Sequence, residues 1–310
     1  MSSIFRRRRP SESRLWTRSV SVAFPAMVLI LILPAWPDDG HGGWGRVEGQ
    51  MLDPTPLDLS LVGDPHGVAA LWSNPATLSA VSDDALLGLV SFAPNPGEVE
   101  VEFSQAVLGV RTGGLGVGFR RERFRPAPDE DHLMGSGFTI SVSAGFRDVY
   151  LGISNDQYRR GVQESRWDVA GFWQPSEGVS VGVAWRDIAS PMILSEERPQ
   201  RLVLGGTAQL PDGWGSASYE GTIVDGAGQR HRGLLRLQVG GVDVLTGLDV
   251  DSGQGVTRMQ IGLGYRFGAN RGFGHLLRSR NRPEGDASSY HLGGERTLDG
   301  PGGGRIGLGG

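Results

Sequence analysis

The chain contains no cysteine. That absence removes disulfides, thiolate metal sites and cysteine nucleophiles together. Lysine is missing too: all 30 basic residues are arginine, a bias from which no function follows. The net charge of −4 supplies no basic field for a nucleic-acid partner. The six histidines, His41, His66, His132, His231, His275 and His291, are scattered without metal-ligand spacing. No serine sits in a nucleophile elbow. Gly114, Gly116 and Gly118 lie within a strand pattern and open no helix, which excludes a phosphate loop. Asp64 and His66 could pair as acid and base, but Pro65 between them makes coincidence the better account. These absences argue against an enzyme and call for no cofactor.

Glycine, in contrast, is abundant, at 50 of 310 residues and with no collagen period. Such a content suits an all-β chain with many tight turns. The first 36 residues stand apart. Arg6 to Arg9, Arg14 and Arg18 give a positive start, an apolar uncharged run reaches Trp36, and Pro37 to Gly43 is polar and glycine-rich. This is the order of a secretory signal, with cleavage near Ala35. The alternative is an uncleaved anchor, although the run is short for a membrane span. No later segment is long and apolar enough for a membrane helix. A membrane location for the remainder therefore demands a closed barrel, whose backbone groups pair between strands.

From about Leu86 the apolar residues recur with a period of two. Phe138, Ile140, Val142, Ala144 and Phe146 alternate with Thr139, Ser141, Ser143, Gly145 and Arg147. Val179 to Arg186 and Arg258 to Phe267 repeat the pattern. Successive strand side chains face opposite sides, so each segment carries one apolar and one polar face. About twelve such segments occur, at 86–93, 98–110, 114–124, 137–147, 149–158, 166–174, 179–187, 201–210, 214–224, 231–240, 242–250 and 257–267. Odd connections tend to be long and even ones short, as in barrels with periplasmic turns and larger external loops. Aromatic residues cluster near segment ends, where a bilayer interface favours them.

The expected fold is thus all-β: a transmembrane antiparallel up-and-down barrel of about 12 strands (12–14), with a short N-terminal helical element. The expected boundaries are a signal peptide at 1–36, a linker and inserted segment at 37–84, the barrel at 85–268 and a flexible periplasmic tail at 269–310. Phe267 closes the presumed terminal strand. Within the tail, 272–278 and 288–296 could add one more hairpin. The stretch Gly67 to Ala80 suits a short helix that Pro75 must end or interrupt. On the inward face, Arg147, Arg186, Arg236, Arg258 and Arg266 stand against Glu100, Glu102, Asp168, Asp243 and Asp249, charges that would pair across a confined lumen. Asp129 to His132 read as a solvated acidic loop rather than a cation site. Arg121, Arg123 and Arg125 either bind lipopolysaccharide phosphates or extend a strand into water.

The segment Val62 to Val81 resembles the N-terminal signature of FadL-type and PorV-type outer-membrane proteins. The residues concerned are Gly63, Asp64, Ala69, Ala70, Trp72, Asn74, Pro75 and Ala76. Val179 to Pro191 and Arg198 to Gly213 resemble two strands of the same families. The resemblance implies a barrel in the bacterial outer membrane whose Asn-Pro-Ala segment folds as a hatch, with Asp64, Trp72, Asn74, Pro75 and Ala76 as its motif. It also implies passage of a hydrophobic small molecule, or a partnership in protein secretion. The FadL fold has fourteen strands against about twelve counted here, and the interior looks more polar than a greasy tunnel. Outer-membrane lipids and the barrel-assembly machinery are the expected partners. The alternatives are a structural or interaction barrel without conduction and a soluble secreted β-sandwich.

Overall fold

The computed structural model describes residues 61–64, 67–81, 83–94, 101–124, 133–160, 162–188, 192–193, 196–197, 199–224, 227–251, 255–279 and 287–298. The signal segment, the linker before residue 61, Glu100 and the acidic stretch at 129–132 lie outside the described residues.

Sixteen strands follow in chain order: β1 (Asp84–Pro94), β2 (Val101–Thr112), β3 (Leu115–Phe124), β4 (Leu133–Phe146), β5 (Val149–Arg160), β6 (Val162–Ser176), β7 (Val179–Arg186), β8 (Met192–Ile193), β9 (Glu196–Glu197), β10 (Arg201–Gln209), β11 (Gly215–Val224), β12 (Ala227–Val239), β13 (Val242–Asp251), β14 (Gly255–Phe267), β15 (Asn270–Ser279) and β16 (Ala287–Leu298). Fourteen of them form one closed barrel; β8 and β9 make a separate two-stranded ribbon between β7 and β10. All the barrel pairings are antiparallel, and the ring closes where β1 runs against β16, from Asp84↔Leu298 to Phe92↔Tyr290. A closed single barrel replaces the sandwich alternative, because the fourteen-stranded sheet has no free edge.

The barrel therefore has fourteen strands rather than twelve, and it extends through residues 270–298 instead of ending at 268. Phe267 ends β14, the third strand from the seam. The missed strands alternate poorly: Gly272, Gly274, Gly293 and Gly294 interrupt the faces of β15 and β16. Strand pairing to β14 and β1 supplies what the local pattern lacks.

Even connections are short, with two-residue turns at 113–114, 147–148, 177–178, 240–241 and 268–269. The odd side is less uniform. Arg160 pairs with Val162, so that hairpin closes across a single residue. The chain between the sequence-read segments there went into longer strands, which carry polar outward residues such as Asn155 and Gln157 beyond the apolar belt.

That belt covers the outer face. Leu108, Ile140, Leu151, Ile153, Leu204 and Leu263 are all exposed. Aromatics border it: Phe138, Trp167 and Trp185 toward the odd connections, Phe146, Trp173, Tyr265 and Phe267 toward the short turns, each exposed. From Trp167 to Trp173 along β6 is roughly 20 Å of strand at about 3.3 Å per residue. Ile153 lies between the two girdles, opposite Val169. Ile153→Arg should cost about 2–4 kcal/mol in urea unfolding from lipid bilayers. A cost near zero would mean that this face does not meet hydrocarbon.

Candidate functional site

Residues 61–64 and 67–80 lie inside the ring. A four-residue helix, Ala70–Ser73, is followed by Asn74 and a 3-10 helix, Pro75–Ser79. Proline cannot donate to the first helix and fixes the start of the second. Asn74 joins them: its Oδ1 accepts from the Ala76 N–H at 3.0 Å, while its Nδ2 donates to Val62 O at 2.6 Å and to Gly171 O at 3.2 Å. The residue thus stitches both ends of the segment to β6.

Contacts to this segment come from the inward face on every side, which is what places it within the lumen. Val68, Leu71, Trp72 and Leu78 pack with Ala85, Leu87 and Leu89 of β1, Val107 of β2 and Phe273 of β15. Val62 and Ala76 pack with Phe172, Ala184 and Val203 on the opposite wall. Side chains of the wall also satisfy its backbone. Glu220 accepts from Val62 N at 2.8 Å, and Glu295 accepts from Val68 N at 2.9 Å. Ser180 donates to Gly63 O at 2.6 Å, Ser141 to Leu71 O at 3.2 Å, and Arg186 to Ser73 O at 2.7 Å. Arg236 approaches Asp64 at 3.4 Å. An irregular segment with buried amides needs such partners, since each unmade bond costs about 1–3 kcal/mol.

Inward glycines make the room. A Cβ at Gly109 would stand 2.7 Å from Val68 Cγ1, and one at Gly116 2.6 Å from Leu71 Cδ1. Cβ atoms at Gly118, Gly152 and Gly182 would collide with Trp72, with Ala76 and with Val62. The glycines that make this room sit beneath the segment itself.

On the side of the odd connections the wall is charged. Arg166 is buried and pairs with Asp156 at 2.6 Å, Asp168 at 3.9 Å and Asp187 at 3.5 Å. Asp187 also binds Arg201 at 2.7 Å. Its φ of 56° is left-handed, a conformation tolerated by aspartate, and its N–H donates to Asp168 at 2.9 Å. Thr139 links this cluster to the segment, donating to Asp156 and accepting from Trp72 Nε1 at 2.9 Å. Arg120 donates to Tyr158 OH at 2.9 Å and pairs with Glu122 at 3.1 Å. A second cluster gathers Arg230, Arg232 and Arg258 around Asp249.

Of the charges assigned to the lumen from sequence, Arg186, Arg236 and Asp168 are buried within it, and Arg258 pairs with Asp249. Arg147 is not a lumen residue. It occupies the β4–β5 turn with φ 55°, exposed and stacked over Phe146 at 5.2 Å, because strand parity stops counting where the strand ends. Arg266 is at the rim near the short turns, half exposed, 3.4 Å from Asp243. The side chain of Glu102 lies outside the described residues. Asp156, Arg166, Asp187 and Arg201 were not anticipated. Polar Asn155 and Gln157 on the outer face of β5 erase the alternation there, and Asp187 lies just past a strand end.

One sector of the wall differs. On β15, β16, β1 and β2 the described inward side chains are uncharged above Arg271, Glu295 and Arg111, including Phe273, Leu277, Leu89, Ser91 and Gln105.

No protein-family model and no curated protein sequence matches the chain. Solved structures do. The monoaromatic hydrocarbon channel CymD superposes with a TM-score of 0.61 at 12% identity, over 76% of this chain and 94% of that one. The Ralstonia pickettii toluene transporter TbuX gives 0.55 at 11% identity, over 75% and 94%. A Pseudomonas aeruginosa FadL homologue gives 0.52 at 11% identity, over 75% and 94%. At such identities the likeness is one of fold: the chain has the fourteen-stranded architecture of the FadL-type channels. Apolar outside and polar within, it is a bacterial outer-membrane barrel.

Proposed function

We propose that this protein is an outer-membrane channel for hydrophobic small molecules, with residues 61–64 and 67–80 as a hatch that closes its lumen and the sector formed by β15, β16, β1 and β2 as the approach to that hatch. The observation that carries the reading is the uncharged sector, which leads down to the apolar contacts of Val68, Leu71 and Trp72, while the ion-pair clusters around Arg166 and Asp249 stand on other strands of the wall. An apolar molecule gains nothing along a wall of paired charges, which it would have to desolvate. FadL-like solved channels whose names specify toluene or monoaromatic hydrocarbons agree with that substrate class.

A specific observation favours a second reading, a barrel that does not conduct: the hatch backbone is held by at least four wall side chains, Glu220, Glu295, Ser180 and Arg186. Uptake separates the two. Expression in a host without such channels should raise the initial uptake of radiolabelled toluene at low external concentration several-fold over an empty-vector control. Unchanged uptake with a normal amount of folded barrel in the outer membrane would leave the non-conducting reading.

A further inference from the structure

The uncharged sector contains one polar oddity. His275 of β15 and His291 of β16 are directly paired across the two strands and face the lumen. His291 is accounted for: its Nδ1 is 2.7 Å from Ser91 Oγ and its Nε2 is 3.0 Å from Ser289 Oγ. His275 is not. Both of its ring nitrogens are buried, and neither has a hydrogen-bond partner among the described residues. Its ring meets the edge of Phe273, with centroids 5.4 Å apart at 72°, and backs onto Gly262, which has no side chain to offer.

We infer that His275 is a specificity-determining residue, and that the molecules this channel takes carry a single hydroxyl on an apolar, aromatic-sized body. This deepens the reading proposed above and rests on it. Position comes first. Phe273, two residues before His275 on the same face of β15, packs against the hatch cluster, so His275 stands one step further up the uncharged sector, where an approaching molecule must pass.

Chemistry comes second. An imidazole offers one donor and one acceptor when neutral. Buried and already unpaired, those groups lose nothing to a bare hydrocarbon and reward a hydroxyl, which can both donate and accept. A site with an unmet polar group discriminates strongly against the analogue that lacks the matching group. Phe273 and Leu277, on either side of His275 along the strand, supply apolar contact for the rest of the molecule.

The test compares two probes of nearly equal shape, p-cresol and p-xylene, by titration calorimetry on the full-length protein in detergent. The native protein should bind p-cresol about tenfold more tightly, the ratio expected for one well-made bond to a buried group. His275→Phe should bring the ratio close to one while p-xylene affinity holds. His275→Gln, which keeps a donor and an acceptor, should retain part of the preference. Retention of folded barrel by each variant is read from its heat-dependent gel mobility. Equal binding of the probes by the native protein, or an unchanged ratio in His275→Phe, overturns the inference while the channel reading stands. Absence of binding by either probe overturns both.

Discussion

Gly182→Leu should unplug the barrel. In planar bilayers the native protein should conduct little, and the variant should show steps at least about tenfold more frequent or larger. The reasoning is steric. A Cβ at residue 182 would lie 2.5 Å from the Val62 carbonyl carbon and 2.9 Å from Asn74 Nδ2. The wall cannot retreat, because Gly182 is laddered to Phe172 on one side and Gly205 on the other. The hatch must give, and with it the Asn74 bonds to Val62 and Gly171. Overpacking of this kind costs about 1–3 kcal/mol, and each 1.4 kcal/mol is a factor of ten in population. Gly233→Leu is the control, since a Cβ there meets nothing within 4 Å. A folded Gly182→Leu barrel that conducts as little as the native one would show that residues 61–64 and 67–80 are not what closes the lumen.

Arg166→Met should destabilise the barrel by about 3–5 kcal/mol, the cost of stripping the partner from buried charges. Asp156, Asp168 and Asp187 converge on this guanidinium, and Arg201 pairs with Asp187 as well. Arg166→Lys should fall between the two, because one ammonium cannot reach three carboxylates as a planar fork does. Urea unfolding in lipid vesicles measures both. Removing Asp156 as well should recover part of the loss, a coupling that a double-mutant cycle isolates. A loss below about 1 kcal/mol for Arg166→Met would mean that water solvates the cluster and that it does not act as a buried network.

Much of the wall was legible in the sequence, for one reason: where a strand separates lipid from lumen, the two faces differ in every residue. β4 and β7 are of this kind, and their ranges are close to those read from alternation. The signal fails where either face loses contrast. Glycines blur it in β15 and β16, which alternation offered only as one further hairpin beyond Phe267. The break between the two short helices of the inserted segment was legible through a different cue, Pro75, which cannot continue the first helix. What no local pattern could give was pairing between distant residues. Arg236 with Asp64 and Glu295 with Val68 depend on how the ring closes, as does the distinction between glycines that seat the hatch and glycines that merely turn the chain.

The seat of the hatch also dictates an order of events during assembly. The Val68 amide meets its acceptor, Glu295, across 227 residues of sequence. That acceptor belongs to β16, which is made last and which closes the ring against β1. The last anchor of the segment therefore waits on the strand that closes the ring. The final strand then completes the seam and the last anchor of the hatch in one step. Contacts of such long sequence separation form late and slowly, so the barrel closes around its contents.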